Sequence, residues 1–326
     1  MTNQSILITG ANGYIGNCLF HSLKNKFKVK GIDKEITNNK NIYKCNILNV
    51  KKFNKILLRV KPDLIVHLAA QSLVDEQLNK KKYYDNNILA TNILLKTMEK
   101  NNIKKIIFSS TAAVYKQANK SLKENSKLKP MSTYAKTKLV CEKNIIKQRK
   151  INSVILRFFN VCSAFSKPCI GELHNPETHL IPTIIYKAIY NKKVYIYGNN
   201  FPTKDGTCIR DYIHIKDICL AIEKSIKLLG DKKNSTILNI GNHKGLSNQE
   251  IINYVKKNVK KKINLNYVNR RKGDVVSLVC NSEKAKNLLS WRAKNSNLQT
   301  IVRDEIKWIK KINKLKIKRK FKNYNI

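Results

Sequence analysis

The chain has 326 residues, of which 42% are hydrophobic and 8% aromatic, so it can bury a sizeable core, which argues against wholesale disorder. Its 65 Lys+Arg residues against 21 Asp+Glu give a formal net charge of +44, which raises the hypothesis of a nucleic-acid-binding protein. We interpret the excess as compositional, because it is mostly Lys, is spread along the chain, and accompanies abundant Ile and Asn, which share A/T-rich codons.

The first half of the chain alternates short apolar runs with amphipathic segments. Residues 5–9, 28–33, 64–69, 105–110 and 153–159 are predicted strands, several of them apolar on both faces. Helical spacing relates Ile15, Leu19 and Leu23, and a longer helical run covers residues 132–150. This alternation predicts an α/β fold with a doubly wound parallel sheet.

From about Cys162 the pattern changes to loops and shorter elements. Residues 211–215, 218–229 and 237–240 are predicted to form a strand, a helix and a strand that return to the first sheet. We therefore expect a first domain over residues 1–165, with a return segment 211–241, and a smaller second domain over residues 166–326. A Lys-rich amphipathic helix follows Trp308.

A glycine-rich turn follows the first strand and opens the first helix. Gly10, Gly13 and Gly16 would let backbone N–H groups approach a pyrophosphate at the positive end of the helix. Asp33 ends the second strand, where a carboxylate can bind the adenosine ribose hydroxyls. It would repel a 2′-phosphate, so the turn and Asp33 together favour NAD over NADP.

A Tyr-x-x-x-Lys pair lies in the run after Pro130. Tyr134 and Lys138 share a helix face, so we expect the ammonium to lower the pKa of the phenol toward that of a general base. Thr111 ends the strand 105–110 with a hydroxyl that can bridge a substrate and Tyr134. We predict that these three residues are catalytic.

The eight cysteines contain no Cys-x-x-Cys pair, which is typical of reduced thiols in a cytoplasmic protein. The N-terminus has no charged region or cleavage site of a signal peptide, and no apolar run is long enough to span a bilayer. We expect a cytoplasmic protein with no membrane partner.

These motifs together resemble the UDP-glucose 4-epimerases of the extended short-chain dehydrogenase/reductase superfamily, over nearly the whole chain. The most specific stretches are Leu-Arg-Phe-Phe-Asn-Val, Pro-Glu-Thr-His-Leu-Ile-Pro, Arg-Asp-Tyr-Ile-His and Arg-Lys-Gly-Asp, which begin at residues 156, 176, 210 and 271. The resemblance implies a Rossmann-like domain with a smaller C-terminal substrate-binding domain, tightly held NAD, a UDP-sugar substrate and a homodimer.

The resemblance also implies a set of binding residues. Those for NAD are Gly10, Asn12, Gly13, Tyr14, Ile15, Gly16, Asp33, Asn46, Ile47, Leu68, Ala69, Ala70, Asn87, Ser109, Tyr134, Lys138 and Phe159. Those for the UDP-sugar are Thr111, Asn160, His179, Leu180, Tyr197, Arg210, Tyr212, Arg271 and Asp274. Arginine suits a diphosphate, because its guanidinium binds phosphate oxygens bidentately.

Three residues depart from the family pattern. Asn46 replaces an Asp, although its amide oxygen can still accept from the adenine amino group. Lys116 replaces a Gly and would be strained if the position needs a positive φ. Ser72 stands where some members have a cofactor-binding Lys.

The histidines are interpreted as structural or substrate-binding. We expect His67, within a strand, to be a buried structural residue. A metal site is not expected, because Glu172, His174, Glu177 and His179 have a mixed spacing on a loop.

The sequence therefore predicts an NAD-dependent epimerase acting at C4 of a UDP-hexose through a 4-keto intermediate. A UDP-N-acetylglucosamine or dual-specificity epimerase stays open, because Leu278 stands where the family places a residue beside the C2 substituent. A 4,6-dehydratase is disfavoured, since Ala112 and Ala113, not Asp-Glu, follow Thr111. A specific nucleic-acid partner is disfavoured, because no binding module is recognisable.

Overall fold

A computed structural model describes residues 3–36, 38–72, 79–118, 120–173, 177–230, 235–259, 263–271 and 274–314. His174 and the basic tail beyond Lys314 lie outside the described residues. Within them, the strands are β1 (Ser5–Thr9), β2 (Lys28–Asp33), β3 (Ile42–Lys44), β4 (Leu64–His67), β5 (Lys105–Thr111), β6 (Asn152–Phe158), β7 (Asn160–Cys162), β8 (Ala164–Ser166), β9 (Cys169–Gly171), β10 (Val194–Tyr197), β11 (Ile209–His214), β12 (Ser235–Ile240), β13 (Gly245–Ser247), β14 (Leu265–Val268) and β15 (Ser277–Leu278).

The helices alternate with the strands of the first half and dominate the second half. They are α1 (Tyr14–Leu23), α2 (Val50–Val60), α3 (Lys80–Tyr83), α4 (Ala90–Lys100), α5 (Thr133–Ile146), α6 (Leu180–Ile189), α7 (Ile215–Leu228), α8 (Asn248–Val259), α9 (Glu283–Leu289) and α10 (Leu298–Lys314). A π-helical segment (Tyr84–Leu89) joins α3 to α4, and a 3₁₀ turn (Ala112–Val114) follows β5.

A seven-stranded parallel sheet forms the centre of the fold. Its strand order is β12-β6-β5-β4-β1-β2-β3. All five strands predicted for the first half are in it, so the predicted α/β doubly wound, Rossmann-like fold is confirmed. The predicted strand 237–240 also returns to this sheet, with Ile237 opposite Ile155. Residues 211–214 do not return to it, because β11 pairs instead with β7, β13 and β15.

Helices cover both faces of the large sheet, as strands apolar on both sides require. On one face α1, α7 and α9 contribute the buried Leu19, Ile222 and Leu289. On the other face α2, α4 and α5 pack with residues such as Phe53 and Leu94. The central strands β4 and β6 are therefore buried along their whole length between two helical layers.

The second half of the chain builds a smaller unit beside the carboxyl edge of the large sheet. Helices α6, α8 and α10 share a separate apolar core with β10, through Ile185, Ile251, Ile301 and Val194. All eight cysteines are free thiols. In the part of the chain that the structure describes, every helix is too short or too polar to cross a bilayer.

Candidate active site

The predicted site residues of the first half lie where strands of the large sheet end. Gly10 follows β1, Asp33 ends β2, Leu68 follows β4, Thr111 ends β5 and Phe159 follows β6. Because these strands are parallel, their carboxyl ends meet at one edge of the sheet. The strand order reverses between β1 and β4, the position where open α/β sheets bind ligands.

The glycine turn between β1 and α1 is packed too tightly for side chains. Gly10 has a φ of 68°, and a Cβ there would lie 2.8 Å from the Ala69 backbone nitrogen. A Cβ on Gly16 would lie 2.0 Å from the Gly10 carbonyl oxygen. Gly13 precedes the first turn of α1 in an extended conformation. The turn therefore presents bare backbone at a helix N-terminus, the environment that a pyrophosphate needs.

The Asp33 carboxylate is fixed beside this turn. It accepts a hydrogen bond from the Asn12 backbone N–H at 2.9 Å and another from the Glu35 N–H at 3.0 Å. A carboxylate has about four acceptor positions, so two remain for the two hydroxyls of a ribose. The geometry thus fits the role that the sequence predicts for Asp33.

The other residues predicted to bind NAD near Asp33 and the end of β4 already use some of their polar atoms within the protein. Ile47 is buried, and the Asn46 amide oxygen accepts from the Leu48 N–H at 3.0 Å, which leaves one lone pair for an adenine amino group. The half-buried residues 68–70 line the end of β4. Asn87 is buried between two segments, since its amide oxygen accepts from the Gln71 N–H at 2.8 Å and its amide N–H₂ donates to Thr137 Oγ1 at 2.9 Å.

His67 lies beneath the glycine turn, and it is a buried structural residue as expected. Its Nδ1 is 2.7 Å from Thr9 Oγ1, and its Nε2 is 3.1 Å from Thr91 Oγ1. Burial, reinforced by the charge of Lys138, lowers the pKa of His67 to about 3. The imidazole is therefore neutral at physiological pH.

Helix α5 carries the predicted catalytic pair. The Ser132 hydroxyl caps its N-terminus by accepting from the Ala135 N–H at 3.2 Å. Tyr134 and Lys138 lie one turn apart, facing β5. The Lys138 ammonium donates to the Ser109 carbonyl oxygen at 2.7 Å and lies 4.6 Å from the centre of the Phe108 ring.

One electrostatic expectation is wrong in this structure. Burial raises the pKa of Tyr134 to about 12, with only partial opposition from its hydrogen bond with Thr111. Burial also lowers the pKa of Lys138 to about 8. Since the ammonium is engaged with the Ser109 carbonyl, desolvation outweighs the expected effect of the lysine charge on the phenol.

A buried ionic network behind this pair was missed in the sequence. Arg157 on β6 makes a bidentate pair with Glu142 on α5, at 2.6 and 2.9 Å, and both side chains are 2% exposed. The Ser110 hydroxyl donates to the same carboxylate, and Arg157 donates to the Tyr115 hydroxyl at 2.9 Å. Two signals existed: Glu142 follows Lys138 by one helical turn, and Arg157 interrupts an apolar strand.

The predicted sugar-nucleotide residues come from β7, β10, β11 and the segments around them. Tyr212 on β11 lies opposite Asn160 on β7, directly after β6. Arg210 lies 3.6 Å from Asp274 and donates to the Val275 carbonyl oxygen at 2.8 Å.

The remaining residues predicted to bind the UDP-sugar also lie in the smaller unit. The Arg271 guanidinium carbon lies 3.7 Å above the centre of the Tyr197 ring. His179 and Leu180 form the start of α6. Two arginines therefore lie near a carboxylate and a flat aromatic ring, a combination suited to a nucleoside diphosphate.

The family departures are accommodated without strain. Lys116 does not have a positive φ, and its N–H donates to the Lys127 carbonyl oxygen at 2.8 Å. Ser72 is exposed after β4.

A family profile and the sequences of known proteins assign this chain to the same family. The profile described as "NAD dependent epimerase/dehydratase family" matches residues 6–241. A UDP-glucose 4-epimerase of Lactobacillus helveticus is 36% identical, over 94% of this chain and 97% of its own. A UDP-glucose 4-epimerase of Rhizobium meliloti is 34% identical, over 89% and 93% of the two chains.

Solved structures agree with this result. A UDP-glucose 4-epimerase from Stenotrophomonas maltophila, with bound NAD and formylated UDP-arabinopyranose, superimposes with a TM-score of 0.90 at 27% identity, covering 96% of this chain and 100% of that one. A UDP-Glc/GlcNAc 4-epimerase from Campylobacter jejuni superimposes with a TM-score of 0.80 at 30% identity, covering 95% and 100%.

Proposed function

Because the chain belongs to the NAD dependent epimerase/dehydratase family, we propose that it interconverts UDP-glucose and UDP-galactose by inverting C4, with Tyr134, Lys138 and Thr111 at the reacting carbon. The observation that carries the residue assignment is the position of α5. It places Tyr134 and Lys138 against the end of β5, at the sheet edge that the glycine turn occupies.

The cofactor of this reaction is NAD, and the residues present fit it. A Cβ at Gly10 or Gly16 would clash with the backbone of the turn. Because these positions carry no side chain, the backbone N–H groups stay accessible to the pyrophosphate. Asp33 keeps acceptor positions for the ribose hydroxyls. Bound NAD supplies reversible oxidation of the C4 carbon, with no net redox change.

The protein side chains handle the proton of the C4 hydroxyl. With a pKa near 12, Tyr134 is protonated at neutral pH and suited to donate to a keto oxygen at C4. When C4 is oxidised, Tyr134 must instead accept the proton of the C4 hydroxyl. This requires a positive charge near the phenol, because such a charge lowers the pKa of Tyr134. Lys138, which is engaged with the Ser109 carbonyl, does not lower the pKa by itself, so the positive charge of oxidised NAD would have to contribute, while Thr111, hydrogen-bonded to Tyr134, orients the hydroxyl.

The UDP part is held by the smaller unit. Arg210 and Arg271 bind the diphosphate, Asp274 accepts from the uridine ribose hydroxyls, and Tyr197 stacks beside Arg271. Anchoring at the diphosphate leaves the sugar free to turn and present its other face.

The test combines cofactor analysis with one substitution. We expect the purified protein to release NAD(H) on denaturation and to equilibrate the two UDP-hexoses without added reductant. Tyr134→Phe should lower kcat by roughly 10²–10⁴, with UDP binding little changed. Tyr84→Phe, on a 61% exposed ring, is the matched control. Release of NADP, or near-normal activity of Tyr134→Phe, would contradict the proposal.

A second candidate substrate is UDP-N-acetylglucosamine. Leu278 lies opposite Arg210 in the β11–β15 pairing and packs against the cluster that contains Ala112 and Phe159, close to Thr111. In the family that this chain resembles, a large aromatic residue at this position excludes N-acetyl sugars; Leu278 is smaller than Tyr, so a C2 acetamido group would find room there. The Campylobacter jejuni relative is named for both sugars.

The association state and the compartment are further proposals. Leu89, at the end of the π-helical segment, and Val140 and Ile146 on α5 are apolar side chains that are 38–45% exposed, and a homodimer interface would cover them. Light scattering should give twice the chain mass.

We place the protein in the cytoplasm, since its eight thiols are free. A specific nucleic-acid partner is not proposed.

A further inference from the structure

A cluster of acidic side chains and one imidazole lies where the segment before α6 meets α10. Among the described residues, Glu172, Glu177 and His179 form a group whose ligand atoms all lie within 4.8 Å of one another. His179 Nδ1 is 3.0 Å from Glu172 Oε1 and 3.4 Å from Glu177 Oε1. The two carboxylates are buried, whereas the imidazole is 52% exposed.

A third carboxylate faces this group from α10. Glu305 is 1% exposed, and neither of its carboxylate oxygens has a hydrogen-bond partner. It interacts electrostatically with Glu172, Glu177 and His179. Three buried acids thus surround one imidazole, and burial together with the neighbouring carboxylates raises the pKa of Glu305 well above its usual range. A buried carboxyl group without a hydrogen-bond partner is costly, and a bound ion is one way to satisfy its oxygens.

We propose that Glu172, Glu177, His179 and Glu305 bind a divalent cation such as Mn²⁺ or Zn²⁺. In a tetrahedral site with bonds of about 2.1 Å, ligand atoms lie about 3.4 Å apart, which is close to the two Nδ1–Oε1 distances. A divalent cation would give the two Glu305 oxygens the partner that they lack and would favour the ionised carboxylate. Imidazole with carboxylates is a ligand set that suits these metals.

The position gives the cation a structural role. His179 directly precedes α6, and Glu305 lies within α10, so the ion would tie these two helices together at their shared core. The exposed edge of the imidazole provides an entry path. The epimerisation requires no metal, so this inference does not depend on the proposed function. It assigns His179 to a cation instead of the UDP-sugar, and it departs from the expectation that this loop holds no metal.

The full chain is freed of its affinity tag and dialysed against EDTA. It is then titrated with Mn²⁺, and the concentration of free Mn²⁺ is measured by electron paramagnetic resonance. Mn²⁺ is the probe because buried thiols compete for it less than for Zn²⁺. We expect one ion per chain. Glu305→Gln should weaken binding roughly tenfold or more. Glu283→Gln is the matched control, since that carboxylate is exposed on α9 and pairs with Lys286.

A Glu305→Leu variant separates metal binding from folding. It should melt at least as high as wild type without metal, because it removes a buried carboxyl group that has no hydrogen-bond partner, yet gain no stability from Mn²⁺. Absence of binding to wild type up to about 1 mM would overturn the proposal. So would equal Mn²⁺ affinity in wild type and either Glu305 variant.

Discussion

The neutral His67 makes the stability of the fold depend on pH in a direction that can be measured. Its pKa is about 3 in the folded chain, against about 6.5 in an unfolded one. The unfolded state therefore binds one more proton than the folded state between these two values. This contribution to stability is complete above pH 6.5 and is lost as the pH falls toward 3.

The expected size follows from the two pKa values. The free energy of unfolding should decrease by about 1.4 kcal/mol per pH unit in this window, and by about 2.7 kcal/mol between pH 7.5 and 4.5, from His67 alone. Other groups add their own slopes, so the quantity to compare is the difference between wild type and a His67→Gln variant. Glutamine can still hydrogen-bond to Thr9 and Thr91 but does not titrate.

The assay is urea unfolding followed by tryptophan fluorescence at pH 7.5, 6.5, 5.5 and 4.5. Trp291 is fully buried and reports on the helical layer that contains α7 and α9. The variant should start less stable at pH 7.5 and approach wild type as the pH falls. Parallel curves for the two proteins would show that His67 does not titrate between the folded and unfolded states, and would refute the reasoning.

Three further substitutions have distinct readouts. Gly16→Ala places a Cβ 2.0 Å from the Gly10 carbonyl oxygen, so the purified protein should contain much less NAD than wild type, and an unchanged nucleotide content would contradict the tight turn. Glu142→Gln leaves the buried Arg157 charge unbalanced and should cost about 3–5 kcal/mol in urea unfolding, so a loss below about 1 kcal/mol would be inconsistent with a buried pair. Leu278→Tyr should suppress activity on UDP-N-acetylglucosamine while activity on UDP-glucose persists, and equal losses on both sugars would argue against steric selection there.

The central sheet could be predicted from the sequence because its signals are local. Strands β1 and β2 begin and end at the predicted residues, since each is an apolar run bounded by a turn. The glycine turn and Asp33 are found by spacing along one strand–helix–strand unit, and the structure joins them through the Asn12 N–H.

Contacts between distant segments could not be predicted in the same way. The carboxylate of Glu305 faces Glu172 and Glu177, which are more than a hundred residues away, and no spacing rule relates them. The pKa of Tyr134 depends on how deeply α5 is buried, which the Tyr-x-x-x-Lys pattern does not contain. The pairing of β11 with β7 rather than with the large sheet is likewise a tertiary choice.

The late return of β12 to the large sheet has a consequence for synthesis. Six strands of that sheet are complete when Phe158 has been made, but the seventh begins at Ser235. Until then β6, whose residues are all buried in the finished protein, presents an unpaired hydrogen-bonding edge to the cell. A nascent chain stalled between Phe158 and Ser235 would be prone to aggregate through this edge, and we expect chaperones to bind it at that stage. A stop codon in this interval should give aggregates, even though the glycine turn and the Tyr134–Lys138 helix would already have been translated.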